Sequence, residues 1–330
     1  MSIGDVTELI TPYAHAAWLV HTREPSRETK EIIEPRIMQL RAEYPMAPGI
    51  ELEYLDDATP ADILRTDHIA RTGAPVTVYR DPLSHAFEDR LVFSVHGGGY
   101  VRGNGPYSRC GAMIHLRELG LPAACLDYRL LPEHPLPAAL DDVEAAWRLL
   151  TDELGYAADR ILLAGDSAGG QLALSLALRL RDAGEQLPMG MALYSPAVDL
   201  SFTSPSHVAN VGRDTIFPQG LVGYGTPNAG GADIAEPDFS PVNGDMRGLP
   251  PTYLCAEDTE VMASDTLRAA ERMALGGVEI RCHMFHGLWH AFPVMHPAEP
   301  LPPESSLVFA EIAELFGLPG PRAGRLPKLP

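Results

Sequence analysis

From about residue 70 onward, short continuous apolar runs alternate with longer segments whose apolar positions recur at helical spacing. "APVTVYR", "RLVFSVH", "LPAACLDYR", "RILLAG", "MGMALYSP", "PPTYLCAE" and "VEIRCHMF" read as strands. "AALDDVEAAWRLLTDEL", "AGGQLALSLALRLRDAG", "SDTLRAAERMALGG" and "ESSLVFAEIAELFG" read as helices. Strands that are apolar on both faces belong to a sheet covered on both sides, and strands separated by helices favour parallel order. The pattern predicts an α/β fold with a mainly parallel central sheet flanked by helices.

Two segments depart from this rhythm. Residues 1 to about 45 read as amphipathic helix, with Ser26 as a cap and Ile32, Ile33, Ile37, Met38 and Leu40 on one apolar face. This predicts an N-terminal helical cap segment over 1–50, ahead of a main domain over 51–330. Residues 197 to 248 hold no clear strand. So long an irregular insert within a compact domain is usually functional, and it is expected to form a cap over a site. The N-terminal segment is expected to join it, and together they offer Trp18, Phe202, Phe217 and Tyr224 as aromatic lining candidates.

Composition narrows the function. The chain has 330 residues, 45% of them hydrophobic, enough for one large core. Acidic residues outnumber basic ones 44 to 25, a net charge of −19 that disfavours nucleic acid and anionic lipid as partners. No apolar stretch is long enough to insert in a membrane, and no secretory leader is visible, so a cytoplasmic location is expected. Cys110, Cys125, Cys255 and Cys282 form no CxxC pair and read as buried thiols.

The chemistry centres on "Gly165-Asp166-Ser167-Ala168-Gly169", a G-x-S-x-G corner between a predicted strand and a predicted helix. Such a corner strains the serine backbone and raises its hydroxyl above the carboxyl end of the sheet, where open α/β folds bind ligands. A serine nucleophile needs a base, and the base needs a carboxylate to orient it. His290, in "FHGLWHAF" past the last strand, is the candidate base; His286 and His207 are weaker rivals. The carboxylate should follow "PPTYLCA", where Glu257, Asp258, Glu260 and Asp265 all qualify. The spacing of His283, His286 and His290 straddles a strand end and a loop, and no HExxH is present, so no metal is expected. "His96-Gly97-Gly98-Gly99-Tyr100" can present bare N–H groups to an oxyanion, together with the N–H of Ala168. It lacks the third glycine of a dinucleotide fingerprint.

Taken together, "HGGGY", "GDSAGG", "DYRLLPEHPLPAALDDV", "SPAVDL", "DFSPV", "GLPPTYL" and "FHGLWHAF" resemble the hormone-sensitive-lipase-like carboxylesterases of the α/β-hydrolase superfamily, from about residue 75 to 316. The resemblance implies Ser167 as nucleophile and His290 as base, with Gly98, Gly99 and Ala168 as oxyanion donors. The acid block here, "EDTEVMASD", departs from the commonest Asp-Pro-Leu form and is similar to a sub-branch that places the acid at Glu260, with Asp258 as the alternative. The activity so implied is hydrolysis of short to medium acyl esters without a cofactor. Amides, carbamates and lactones are alternative substrates, and a ligand receptor is the non-catalytic alternative. Tyr100, Phe202, Phe217 and Trp289 are expected to contact substrate. Relatives often pair through the last strand, which suggests a homodimer.

Overall fold

The computed structural model describes residues 6–9, 13–21, 27, 31, 63–82, 87–221, 233–295 and 301–320. One ten-stranded sheet runs through them in the order β1-β2-β10-β9-β8-β7-β5-β6-β4-β3. The strands are β1 Val6–Leu9, β2 Ala16–His21, β3 Leu64–Ile69, β4 Pro75–Arg80, β5 Leu91–Val95, β6 Ala123–Leu126, β7 Ile161–Asp166, β8 Gly190–Tyr194, β9 Thr252–Glu257 and β10 Ile280–Phe285. From β2 to β6 all neighbours are parallel, whereas β1, β4 and β3 pair antiparallel at the two edges. The seven strands expected from the sequence are β4 to β10.

The apolar runs become the sheet because both of its faces are covered. Every residue of β5, β6, β7, β8 and β9 is buried. Each large apolar side chain so enclosed contributes roughly 1.5–3 kcal/mol. The flanking helices are α1 Pro106–Leu119, α2 Pro137–Arg148, α3 Ala168–Asp182, α5 Ala263–Leu275 and α6 Pro303–Phe316, with a single turn, α4 Ser206–Ala209, in the insertion. Helix α3 is buried almost throughout, from Ala168 to Leu178. Its last turn carries Arg179, which complements the helix dipole and pairs with Asp238, Asp141 and Glu144. Arg129 anchors the start of α2 by a bidentate pair with the fully buried Asp142.

The N-terminal expectation needs correction. Residues 6–9 and 16–21 are strands of the main sheet, not cap helix. The reason is tertiary: "AAWLVH" takes the open side of β10, with Trp18 beside Cys282 and Val20 beside Met284, and those backbone hydrogen bonds override local periodicity. Trp18 therefore belongs to the sheet. Apart from Arg27 and Glu31, the helix expected over residues 27–44 lies outside the described residues, as does Tyr224. Because β2 occupies the side of β10, pairing of two copies through the last strand lacks a free edge.

Candidate active site

Five neighbouring strands, β5, β7, β8, β9 and β10, deliver their carboxyl ends to one place. Ser167 follows β7 directly and precedes α3, with φ 52° and ψ −120°. A non-glycine residue rarely adopts this conformation, and here the surroundings enforce it. The Ser167 N–H donates to the Tyr194 carbonyl at 2.9 Å, and its carbonyl accepts from Ala197 at 3.0 Å and Gln171 at 3.2 Å. The corner needs a bare residue at 169, since a Cβ there would overlap the carbonyl oxygen of Val95 at the end of β5.

The turn after β9 carries Glu260 and the loop after β10 carries His290. Glu260 Oε2 lies 2.5 Å from His290 Nδ1, and both side chains are buried. Glu260 Oε1 accepts the Glu257 N–H at 3.3 Å. Ser195 Oγ accepts the N–H of Ala291, the residue after the histidine, at 3.0 Å. Ser195, at the end of β8, thus holds the loop that carries the histidine, and its nearby hydroxyl favours the Glu260 carboxylate. Asp258, the alternative acid, is exposed and bonds His286 Nδ1 at 2.9 Å. His207 lies 3.2 Å from Asp265, away from this pair.

Burial alone disfavours an imidazolium at His290. The adjacent Glu260 charge and hydrogen bond, with Asp214 and Asp166 contributing, outweigh it and raise the pKa above the ordinary histidine value. Burial likewise holds the Glu260 carboxyl above its ordinary range, against the pull of His290. His290 Nε2 is buried with no hydrogen-bond partner. An orphaned buried nitrogen is costly and leaves an acceptor or donor for a reacting group.

The glycine loop closes the other side. The Gly97 N–H is committed to Asp166 Oδ1 at 3.1 Å, while Tyr107 donates its hydroxyl proton to Asp166 Oδ2 at 2.5 Å. Burial lifts Asp166 to about 6, against these bonds and the charge of His290. His96 stacks on Tyr128 with ring centroids 4.1 Å apart and reaches Asn104 at 2.9 Å, which fixes the loop from behind. Gly98 has φ 106° and no room for a Cβ, which would overlap the Arg102 carbonyl.

Ser167, His290, Gly98, Gly99 and Ala168 all line one cleft. Its remaining wall is mostly apolar, with Tyr100, Phe202 and Phe217 joined by Leu200, Leu221, Met262 and Met295. Phe217 meets the His290 ring edge-on at 5.1 Å. The Tyr100 hydroxyl is tied to Gln171 at 2.9 Å. Trp289 does not reach the cleft. It is fully buried in the core, and its indole N–H donates to the Met295 carbonyl at 2.7 Å, so the residue beside the histidine anchors the loop instead. Sequence reasoning missed Ser195, Asp214 and Arg102, the last of which also lines the cleft. Ser195 offered one signal, its place at a strand end in "YSP"; the other two offered none.

A strained serine between strand and helix, beside a histidine–carboxylate pair and a glycine loop, is the arrangement of α/β-hydrolases. The alpha/beta hydrolase fold family matches residues 92–294, and the chain belongs to it. Within that family it falls in the hormone-sensitive-lipase-like branch of esterases. It is 30% identical over 233 residues to an esterase of Acinetobacter venetianus, covering 70% of this chain and 76% of that protein. A solved esterase/lipase from an uncultured bacterium superposes with a TM-score of 0.74 at 26% identity, covering 88% of this chain and 98% of the other. A solved esterase from the bacterial hormone-sensitive lipase family gives a TM-score of 0.66 at 28% identity, covering 88% and 92%.

Proposed function

We propose that the protein hydrolyses carboxylic esters with short to medium acyl groups, through Ser167, His290 and Glu260. The observation that carries this reading is the buried Glu260–His290 pair, whose histidine shares a cleft with Ser167 and keeps Nε2 unpartnered. In this reading His290 takes the Ser167 proton as the hydroxyl attacks the ester carbonyl. The N–H groups of Gly98, Gly99 and Ala168 stabilise the tetrahedral oxyanion. His290 then protonates the leaving alcohol and activates a water, which releases the acid from the acyl-serine. Glu260 holds the imidazole in the required tautomer and stabilises the imidazolium; every step is a proton or acyl transfer within these groups.

The insertion over 197–248 serves as the cap, in support of which Leu200, Phe202, Phe217 and Leu221 wall the cleft. A narrow cleft with so apolar a lining suits a small substrate. The test is hydrolysis of p-nitrophenyl esters from acetyl to dodecanoyl, beside matched anilides and carbamates, by wild type and Ser167→Ala. Ester turnover lost in the variant is the expected result. Turnover confined to an amide, carbamate or lactone would reassign the bond, and binding without turnover would make the chain a receptor.

A further inference from the structure

Asp214 lies in the insertion, far in sequence from the acid and the histidine, yet it is 1% exposed and sits beside both. Its Oδ1 accepts the N–H groups of Ile216 at 2.7 Å and Phe217 at 2.8 Å. Its Oδ2 accepts the N–H of Val261 at 2.7 Å. Val261 directly follows Glu260, and Phe217 is the ring packed against His290. One carboxylate therefore fixes the residue beside the acid and the residue against the base.

Other groups of the insertion grip the same turn. Asn210 Nδ2 donates to the carbonyls of Glu260 at 2.8 Å and Asp258 at 3.0 Å. The Ser206 hydroxyl donates to the Val261 carbonyl at 2.6 Å, and the Ser206 N–H reaches Ser264 at 3.0 Å. Neutral tethers would suffice for stapling two loops. A buried carboxylate is a costly choice for that task, because its charge must be held without water. The charge has a use here: it faces His290, which must become positive in every turnover.

We propose that Asp214 is a positioning residue for the Glu260–His290 pair, clamping the acid-bearing turn to the cap and adding negative charge that favours the His290 imidazolium. The proposal rests on the triad reading above. The charged groups facing His290 are Glu260 from the turn after β9, Asp214 from the insertion and Asp166 from the end of β7. It follows that residues 206–217 form a fixed part of the catalytic frame.

The test compares Asp214→Asn, Asp214→Glu and Asn210→Ala with wild type, each checked for thermal unfolding, using p-nitrophenyl butyrate across a pH series. Asp214→Asn is expected to lower kcat about tenfold with KM little changed, because a charge-assisted contact is lost. Its acid limb moves to lower pH, because removing a neighbouring anion lowers the pKa of His290. Asn210→Ala loosens the same turn without touching charge, so kcat falls and the limb stays in place. Should Asp214→Asn fail to fold, Asp214→Glu is expected to lose kcat with an unmoved limb. A wild-type kcat in the variant that folds, or an unmoved limb in Asp214→Asn, overturns the proposal. Ser167→Ala separates the two levels: if it stays active, the triad reading falls; if it is inert while Asp214→Asn behaves as wild type, only the role of Asp214 falls.

Discussion

Glu260 Oε2 and His290 Nδ1 meet at 2.5 Å in a place sealed from solvent, at the ends of two adjacent parallel strands. Asp258, two residues earlier, points outward to His286 instead. The structural distinction predicts a functional one. Glu260→Gln keeps the shape but loses the charge, and its kcat should fall at least about a hundredfold, as for other triads given a neutral orienter. Asp258→Asn should stay within about twofold of wild type, the usual result for an exposed pair. Steady-state kinetics of the two purified variants decides this.

The same pair sets the pH dependence. His290 acts as a base only when neutral, and the charges around it raise its pKa above the ordinary value of 6.5. The acid limb of kcat/KM should therefore lie above pH 6.5, higher than an unperturbed histidine would place it. A profile of kcat/KM from pH 5 to pH 9, with the fold checked at each end, reads the limb directly.

Gly98 tests the oxyanion loop. Alanine at this position must adopt φ near 106° and push against the Arg102 carbonyl. Gly98→Ala should lower kcat by roughly a hundredfold while KM changes little, since the loss falls on the transition state.

How much of this was legible in the sequence follows from physics. Strands β4 to β10 were legible because, apart from the antiparallel β4, they are buried parallel strands that read as continuous apolar runs. Ser167 and His290 were legible because corner and loop chemistry is written locally. Strands β1 and β3 were not, since edge strands carry exposed polar side chains, as "LRTDHI" does, and are defined by their partners. Helix α1 was hidden by Gly111 and a weakly segregated mix of small and polar residues. Local chemistry left four candidate acids, and only the family resemblance favoured Glu260, because the contact that marks it spans thirty residues; the contact that marks Asp214 spans forty-seven. Trp289 misled because adjacency in sequence says nothing about which way a side chain turns.

Phe217 predicts the shape of substrate specificity. Its ring lines the cleft and abuts His290. Phe217→Ala should shift the acyl-length optimum toward longer chains, at some cost in kcat on the best short ester. Rates on an acyl series from acetyl to dodecanoyl provide the check.

His115 predicts how the fold responds to acid. It is buried, bonded to the Gly111 carbonyl at 2.7 Å and the Tyr194 hydroxyl at 3.0 Å, and burial lowers its pKa to about 4. Below pH 6.5 the unfolded chain binds a proton at this histidine that the folded chain refuses until about pH 4. Its contribution to stability is complete above 6.5 and is lost as pH falls through that window. Thermal unfolding of wild type and His115→Gln at pH 7 and pH 5 should show a smaller drop in Tm for the variant.

In this mechanism the corner after β7 exists to present a reactive hydroxyl. The most direct measurement is labelling with a fluorophosphonate, followed by intact mass and peptide mapping. One adduct is expected, on Ser167, formed quickly by wild type and slowly or not at all by His290→Ala. A folded wild-type protein that takes no adduct, or takes it at another residue, would contradict it.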